Sequence, residues 1–412
     1  MLTAPKCRLC LAPLLDTFVD LGVTPLSNAY LRAEELNSME PHYPLKAQVC
    51  AACFLVQVQA FATPKRIFSD YAYFSSYSET WLQHAEAFAE KVIQRFDLDA
   101  CSRVVEIASN DGYLLQYFKA REIRVLGVEP AANVAQAAID KGIPTRVSYF
   151  GTETACRMAS AGEHADLLVG NNVLAHVPDL NDFIAGMKIL LKPDGIVTME
   201  FPHLLRLIQE HQFDTIYHEH FSYFSLHTAV QAFARHGMVV FDVDQLRTHG
   251  GSLRIYARHA GFTDLAVSRT VSDLIDVERD AGLQEMRAYA GFQRAVQVTK
   301  RELLKFLIKA KQSGKRIVGY GAPAKGNTLL NYCGIRTDFL DYTVDRSPHK
   351  QGLYLPGTHI PIFAPERIME TRPDYLLILP WNLKDEVMAQ MAQIRKWGGR
   401  FVVPIPHVEV LD

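Results

Sequence analysis

Apolar positions along the middle of the chain change repeatedly between the spacing of a helix and that of a strand. They recur at helical spacing from Glu79 to Phe96, and a short apolar run typical of a buried strand begins at Val104. Further strands are predicted at 124–128, 165–170 and 195–201, with helices at 132–141 and 179–191 between them. This alternation predicts a parallel, doubly wound sheet.

The pattern changes on both sides of this region. Residues 1–70 are rich in prolines and turns, which predicts a small lobe, and residues 266–312 place apolar positions among many charges, as helices that join two domains do. Residues 313–412 return to strands and glycine turns and predict a second, smaller Rossmann-like α/β domain. The central Rossmann-like domain is then expected at 71–265.

Length and charge limit the classes of function. A chain of 412 residues is too long for one ordinary core, and 43 Lys and Arg nearly balance 45 Asp and Glu, so no basic surface for nucleic acid or acidic lipid is expected. No apolar run approaches the roughly 20 residues of a membrane helix, and the first residues lack the apolar core of a signal peptide. We expect a cytoplasmic monomer that binds a small molecule, and neither nucleic acid nor a membrane.

Cysteine spacing predicts a metal site. Each C-x-x-C pair folds into a turn that directs two thiolates at one point, and two pairs complete the tetrahedral coordination of zinc. Four protein ligands leave no position open for water or substrate, so this zinc would be structural. A redox role is weaker, because neither pair follows a thioredoxin-like strand. The predicted ligands are Cys7, Cys10, Cys50 and Cys53.

The strand that begins at Val104 ends in a loop of the size that suits a cofactor. The next apolar run ends in a carboxylate, Glu129, which suits the two hydroxyls of a ribose. The loop keeps one glycine, Gly112, where a dinucleotide site would have G-x-G-x-x-G against the pyrophosphate. S-adenosylmethionine (SAM) has no phosphate, so SAM is favoured, with a loop that binds no ligand as the alternative. The predicted cofactor ligands are Glu106, Ala108, Ser109, Asn110, Asp111, Gly112, Glu129 and Pro130.

Four titratable residues in succession, Tyr217, His218, Glu219 and His220, form the densest candidate for chemistry. On an extended strand alternate residues would face opposite sides, so all four can line one wall only if the backbone turns. The sequence favours general acid-base work, because histidine titrates near neutral pH. A metal site or a hydrogen-bonded structural pair are the alternatives.

Other candidates lie where the remaining strands end. Asn171 and Asn172 follow a predicted strand at the carboxyl edge where open α/β sheets bind ligands, and they are also predicted to bind polar groups of the cofactor. His176 could face the reacting centre. The second glycine turn offers Lys325 for a diphosphate, beside a helix N-terminus, although the turn could be purely structural. The predicted substrate ligands are Tyr73, Tyr77, Lys325 and Asn327.

Together these motifs resemble a known family, the zinc-containing, SAM-dependent sugar C-methyltransferases that act on nucleotide-linked 4-keto-deoxysugars. The resemblance spans nearly the whole chain. It depends on the two C-x-x-C pairs and on residues 73–78, 106–112, 171–177, 217–225, 249–254 and 319–327.

The resemblance implies a zinc lobe, a class I methyltransferase domain and a C-terminal domain that helps to hold the sugar nucleotide. It also implies that His220 removes the C3' proton beside a C4' ketone, while Tyr217 donates to the developing oxyanion. Glu219 is expected to orient His220, and His176 to assist the sugar.

Alternative functions left open are an O- or N-methyltransferase, and a sugar-nucleotide or dinucleotide binding protein without catalysis. The nucleotide, the substituents of the sugar and the stereochemistry at the methylated carbon are not decided by any residue of the sequence.

Overall fold

The computed structural model describes residues 5–61, 75–77 and 79–412, and within these ranges the strands form three sheets. The strands are β1 Asp16–Thr24, β2 Tyr43–Val49, β3 Val56–Val58, β4 Arg103–Ile107, β5 Arg124–Glu129, β6 Thr145–Val147, β7 Ala165–Asn171, β8 Leu191–Pro202, β9 Ser222–Tyr223, β10 Met238–Leu246, β11 Ser252–His259, β12 Ile317–Tyr320, β13 Thr343–Val344, β14 Ile362–Phe363, β15 Tyr375–Ile378, β16 Arg400–Val403 and β17 Glu409–Leu411.

Helices connect most of these strands. The α-helices are α1 Glu79–Arg95, α2 Leu115–Lys119, α3 Ala132–Asp140, α4 Thr152–Ser160, α5 Leu180–Leu190, α6 Leu204–Gln209, α7 Leu226–Arg235, α8 Arg269–Asp280, α9 Arg287–Ala290, α10 Phe292–Gln312, α11 Ala324–Cys333, α12 Arg367–Thr371 and α13 Lys384–Gln390. Shorter 3-10 turns include Leu174–His176, Phe213–Thr215, Thr248–Gly250 and Trp381–Leu383.

The central sheet has the order β10-β11-β8-β7-β4-β5-β6, and its strands from β8 to β6 are parallel. Parallel strands covered on both faces are apolar throughout, and Val104, Val105 and Ile107 of β4 are buried accordingly. Strand β11 runs antiparallel to both β8 and β10. The predicted α/β fold with a parallel, doubly wound core is therefore confirmed, with an antiparallel extension at one edge.

Chain order reverses between β4 and β7, because β5 and β6 continue on one side of β4 while β7 and β8 lie on the other. Loops that leave the carboxyl ends of strands at such a point diverge and leave a crevice. The C-terminal sheet, of order β14-β13-β12-β15-β16-β17, has its own reversal between β12 and β15. Each α/β unit therefore presents one crevice in which a ligand can bind.

The N-terminal sheet is antiparallel, with the order β1-β2-β3-β9. Its fourth strand, β9, comes from the middle of the chain and immediately follows the Tyr217–His220 segment. The small lobe is thus hydrogen-bonded directly to the part of the chain that carries the titratable cluster. The sequence pattern did not reveal this pairing, because a strand of two residues has no periodicity.

Helices α8 and α10 lie in the region for which helices that join two domains were predicted. The buried Glu278 of α8 fixes this connection, because its carboxylate accepts hydrogen bonds from His203 Nε2 at 2.7 Å, Leu226 N at 2.6 Å and His227 N at 2.9 Å. The two backbone donors belong to the start of α7, where helical N–H groups lack partners inside the helix. Within the described ranges, no helix has both the length and the apolar character needed to cross a bilayer.

Replacing Glu278 by Gln should lower the free energy of unfolding by roughly 3 kcal/mol, because an amide cannot accept from three donors arranged around two carboxylate oxygens. Urea denaturation followed by circular dichroism measures the change. The matched control is Glu285→Gln, which removes a half-exposed carboxylate paired with Arg287 and should cost less than about 1 kcal/mol. Equal losses in the two variants would contradict the role assigned to Glu278.

Candidate active site

A cavity of about 720 Å³ lies at the β4/β7 reversal of the central sheet. Its described lining comes from three parts of the chain, the small lobe, the central domain and the C-terminal domain. The C-terminal domain contributes the first turn after β12 and Lys350. The residues used below are Asn28, Tyr30, Trp81, Ala108, Asn110, Tyr113, Glu129, Pro130, Asn171, Asn172, His176, Tyr217, Glu219, His220, His249, Lys325 and Lys350.

The loop after β4 forms a tight turn, as the sequence predicts. Ala108, Asn110 and Gly112 all have positive φ, at 56°, 50° and 77°. Glycine is required at the last of these, since a Cβ there would lie 2.9 Å from the side chain of Ile143. Ala108 and Asn110 reach the cavity, together with Tyr113 beyond the turn.

Glu129 at the end of β5 lines the cavity and also holds the loop together. Its carboxylate accepts hydrogen bonds from the backbone N–H of Asn110 at 3.0 Å and of Ala131 at 2.9 Å. Each carboxylate oxygen has a second lone pair, so both can also accept a ribose hydroxyl. Pro130 follows it in the lining.

Four of the predicted cofactor ligands lie behind the cavity wall. Glu106 is completely buried, and burial raises its pKa well above the usual range. Ser109 packs against Gly127, whose Cβ would lie 2.4 Å from the serine oxygen. Asp111 accepts a hydrogen bond from Lys141 at 3.1 Å, and Gly112 packs on Ile143. The prediction that these four residues line the cofactor site is therefore corrected, because they support the loop from the side facing the core.

Asn171 and Asn172 line the cavity where β7 ends. Asn171 donates to the hydroxyl of Tyr113 at 3.3 Å, and the amide of Asn172 lies 3.2 Å from His249 Nε2. The buried carbonyl oxygen of each side chain has no hydrogen-bond partner among the described residues. Buried acceptors left in this way need a donor, and the amino group or ribose hydroxyls of SAM would supply one.

Tyr217 and His220 form a hydrogen-bonded pair in the cavity wall. The backbone turns between them, with His220 N donating to Tyr217 O at 2.9 Å, so the extended arrangement considered above does not occur. The tyrosine hydroxyl lies 2.8 Å from His220 Nε2, and His220 Nδ1 lies 2.9 Å from the carbonyl oxygen of Thr215. A carbonyl can only accept, so Nδ1 carries the proton and Nε2 accepts from the tyrosine.

The turn separates the other two residues of the cluster. His218 points to the small lobe, with Nε2 3.1 Å from the carbonyl oxygen of Pro44. Glu219 lines the cavity and accepts a hydrogen bond from Asn28 at 2.8 Å. The expectation that Glu219 orients His220 is wrong, because Thr215 holds the imidazole. Burial raises the pKa of Glu219 to about 7.

His176 packs edge-on against His220 in the cavity wall, with the two ring centroids 4.6 Å apart. Burial lowers the pKa of His176 and of His249 to about 4, and burial together with His176 lowers that of His220 well below 6.5. At neutral pH these three imidazoles are therefore uncharged. Neutral imidazoles can accept protons, which suits the base role but not that of a cation.

The predicted substrate ligands have different outcomes. Lys325 reaches the cavity, where it donates to Asn382 Oδ1 at 2.7 Å and lies 4.6 Å from the centre of the Trp381 ring. Asn327 is corrected, because it is 1% exposed, does not line the cavity and donates to Ser27 O at 2.6 Å. Tyr73 lies outside the described residues, and only the backbone of Tyr77 is described.

Several lining residues were missed from the sequence. His249 lies in a 3-10 turn and is followed by two glycines, at 250 and 251, that have positive φ. The glycine pair is a signal that could have drawn attention to it. Asn28 and Tyr30 of the small lobe had no such signal, since only the folded chain brings them to Glu219. The hydroxyl of Tyr30 donates to Ala322 O at 2.5 Å, as does Lys350 Nζ at 2.9 Å.

The four cysteines of the small lobe converge as predicted. Their sulfur atoms all lie within 4.8 Å of one another, with Cys7 and Cys53 3.6 Å apart and Cys10 and Cys50 3.4 Å apart. Tetrahedral zinc with bonds of about 2.3 Å requires similar separations. The donor set therefore fits zinc, which would be closed to water by its four protein ligands.

Comparisons with known proteins find matches to all three parts of the chain. Residues 7–68 match a zinc binding domain model, residues 81–243 a methyltransferase domain and residues 247–406 the C-methyltransferase C-terminal domain. The C-methyltransferase NovU of Streptomyces niveus is 36% identical over 407 residues, which are 99% of this chain and 97% of that protein.

Two other similarities cover less of the chain. A ubiquinone biosynthesis O-methyltransferase of Bartonella tribocorum is 28% identical over 116 residues, 26% of this chain and 47% of that protein. The structure of magnesium protoporphyrin IX methyltransferase from Synechocystis with bound SAM is 13% identical, with a TM-score of 0.33, over 43% of this chain and 79% of that chain.

Fold, cavity and cysteine site together define a SAM-dependent methyltransferase with a zinc-binding lobe. The chain belongs to the C-methyltransferase family of which NovU is a member. Membership decides against the two alternatives considered above, O- or N-methyl transfer and binding without catalysis. The substrate is a small molecule.

Loss of zinc should disable the cavity as well as the lobe, because Asn28 and Tyr30 belong to the same lobe as the cysteines. In Cys50→Ser, zinc content measured by atomic absorption should fall to near zero, and the free energy of unfolding should fall by roughly 3 kcal/mol or more. Cys101→Ser is the matched control, because Cys101 is exposed and distant from the cluster in sequence. A Cys50→Ser protein with full activity and no zinc would refute the structural role.

Proposed function

We propose that this C-methyltransferase methylates C-3', the carbon next to the ketone, of a nucleotide-linked 4-keto-6-deoxysugar through an enolate. The observation that carries the proposal is the Tyr217–His220 pair, a neutral base and a hydroxyl donor side by side in a cavity that also holds the SAM-binding loop. Methylation of oxygen or nitrogen proceeds from a nucleophile that already has a lone pair. Methylation of carbon needs a base to create the nucleophile, and this pair supplies one.

His220 is the proposed base. Its Nδ1 proton is held by Thr215, so the basic lone pair is on Nε2, which faces Tyr217. The C3'–H bond would break as Nε2 takes the proton, and its electron pair would move into the enolate. Because burial lowers the pKa of His220, the imidazole is unprotonated at neutral pH and does not have to lose a proton first.

Tyr217 is the proposed donor to the C4' oxygen. In the structure its hydroxyl occupies the lone pair of His220 Nε2 that the base must use. A ketone oxygen within reach would compete for the hydroxyl hydrogen, which frees Nε2 and places the hydrogen bond where negative charge develops. One movement of the hydroxyl would thus prepare both steps. His176, which packs against His220, is proposed to contact the sugar.

SAM, when bound, supplies the electrophilic methyl group for the new carbon–carbon bond. We propose that it is held by residues at the carboxyl ends of β4, β5 and β7, namely Ala108, Asn110, Glu129, Pro130, Asn171 and Asn172. Glu129 suits the ribose hydroxyls, while the free amide oxygens of Asn171 and Asn172 suit donors such as the amino group.

The remaining wall suits an anionic substrate. Lys325 and Lys350 bring two cations to the cavity, and Lys325 lies in the first turn of α11, where backbone N–H groups favour phosphate. We propose that they bind the diphosphate of the sugar nucleotide. Tyr73 and Tyr77 remain predicted substrate ligands. That the protein acts as a monomer also remains a prediction.

The substrate class can be tested directly. The protein is incubated with SAM and a panel of dTDP-, GDP- and CDP-linked 4-keto-6-deoxysugars, and products are analysed by mass spectrometry and NMR. We expect one member to gain a methyl group on C-3'. Absence of methylation across the panel would refute the substrate class, and methylation on oxygen would refute the enolate.

His220→Asn should lower kcat on the accepted sugar by about 10²-fold or more, the usual contribution of a general base, while the Kd for SAM changes less than about two-fold. Exchange of the C3' proton in D2O should fall by the same factor, because it needs the base but not the methyl group. His236→Asn is the matched control, since His236 bonds to Asn181 away from the cavity. Wild-type exchange in His220→Asn would remove this residue from the base role.

The pH dependence of that exchange tests the lowered pKa of His220. Glu219 would obscure it, because burial raises its pKa to about 7, so the measurement is made in Glu219→Gln. There the exchange rate should stay level from about pH 8 to about pH 6, whereas a histidine with the ordinary pKa of about 6.5 would lose about three quarters of its unprotonated form. A midpoint near pH 6.5 in this variant would contradict the prediction.

A further inference from the structure

We propose that Trp381 and Asp214 are positioning residues, which hold the turn that orients His220 and so make the C-terminal domain part of the catalytic apparatus. The inference builds on the proposed function, because it assigns a support to the proposed base. Neither residue lines the cavity, and their indole–carboxylate contact joins positions 167 residues apart in sequence.

The link runs through one short turn. The 3-10 turn Phe213–Thr215 ends at the residue whose carbonyl oxygen accepts the proton of His220 Nδ1. Inside this turn, Asp214 is completely buried and accepts a hydrogen bond from Trp381 Nε1 at 2.7 Å. A buried carboxylate needs its partner, so the indole fixes the turn from the C-terminal side.

A second contact from the same domain fixes the next residue. The hydroxyl of Thr328, on α11, donates to the carbonyl oxygen of Ile216 at 3.1 Å. The ring of Phe213 packs edge-on against Tyr332 of the same helix, with centroids 5.3 Å apart. The C-terminal domain therefore contacts this turn at its first residue, in its middle and at the residue that follows it.

Trp381 also contacts the loop that carries a second cavity histidine. A Cβ on Gly250 would lie 2.5 Å from the indole ring, so this glycine allows the loop to approach Trp381 closely next to His249. Gln212, two residues before Asp214, donates to Gly250 O at 2.7 Å. Trp381 therefore contacts both the turn that orients His220 and the loop that carries His249.

The indole of Trp381 has a second contact besides its bond to Asp214. Its ring lies beneath the ammonium of Lys325, which reaches the cavity. Removing the indole N–H while keeping an aromatic ring would leave this cation over a ring. Trp381→Phe therefore separates the positioning hydrogen bond from the binding of an anionic substrate. Without the bond, Asp214 loses the indole that joins it to the C-terminal domain. We expect the turn to loosen, so that Thr215 no longer fixes the tautomer of His220.

The experiment compares Trp381→Phe with Trp397→Phe. The indole of Trp397 also donates to an oxygen of the C-terminal domain, Pro373 O at 3.0 Å, but has no connection to the turn. In Trp381→Phe we expect kcat to fall on the order of 10-fold, with KM for the sugar nucleotide and Kd for SAM within about two-fold, because a slightly misplaced base loses rate rather than binding. Trp397→Phe should keep the wild-type values of kcat, KM and Kd.

A second readout does not depend on the substrate. In protein labelled with ¹⁵N-histidine, the His220 resonances, assigned by their loss in His220→Asn, should show Nδ1 protonated in the wild type and in Trp397→Phe. In Trp381→Phe we expect a mixture of the two tautomers. A single wild-type tautomer with wild-type kcat in Trp381→Phe would overturn the inference, and so would equal losses in the two tryptophan variants.

The two proposals fail in different ways. If no 4-keto sugar is methylated but the tautomer of His220 still changes in Trp381→Phe alone, the substrate class is wrong and the positioning role stands. If the sugar is methylated and neither kcat nor the tautomer responds to Trp381→Phe, the substrate class stands and the positioning role is wrong.

Discussion

The structure depends on how firmly the segment Phe213–Tyr223 is held, because this segment carries the imidazole on which carbon chemistry would rely. Its backbone is hydrogen-bonded by described residues of the small lobe, the central domain and the C-terminal domain. Phe221 donates to Ala175 O in the central domain at 2.7 Å and accepts from Val58 N of the small lobe at 3.0 Å, while the C-terminal domain contacts Ile216. An isolated loop could not keep one tautomer of a histidine in place, since thermal motion would exchange its partners.

This arrangement explains why a methyltransferase domain would need two companions. The crevice at the β4/β7 reversal is sufficient to receive a cofactor, as in other open α/β sheets. Under the proposed function, a ketosugar would have to be held beside that cofactor with one C–H bond directed at His220. The small lobe contributes Asn28 and Tyr30 to this second half of the cavity, and the C-terminal domain contributes Lys325 and Lys350. Zinc then matters to the site indirectly, because it stabilises a lobe too small to have a large core.

Local features of the fold could be predicted from sequence, and contacts between distant residues could not. The strand before Ala108, the turn of each C-x-x-C pair and the carboxylate at Glu129 each follow from spacing within a few residues. The two cysteine pairs are distant in sequence, and their convergence was predictable because zinc needs four ligands. The turn at Tyr217 has no such signal, because alternating polar residues fit a strand as well as a turn. Asn327 looked like a ligand beside a glycine turn, but the small lobe covers it through Ser27. The burial of Asn327 depends on packing between the small lobe and the C-terminal domain, and hydrophobic periodicity carries no information about such packing.

Burial has opposite effects on the two kinds of titratable group in the cavity, and the chemistry follows from this opposition. Burial lowers the pKa of the histidines, so His176, His220 and His249 stay neutral at neutral pH. It raises the pKa of the Glu219 carboxyl to about 7. A base with a low pKa cannot fully deprotonate a ketone on its own. It can do so only if the enolate is stabilised as it forms, which requires a donor at the oxygen. Under the proposed function, the hydroxyl of Tyr217, which lies 2.8 Å from His220 Nε2, would be that donor.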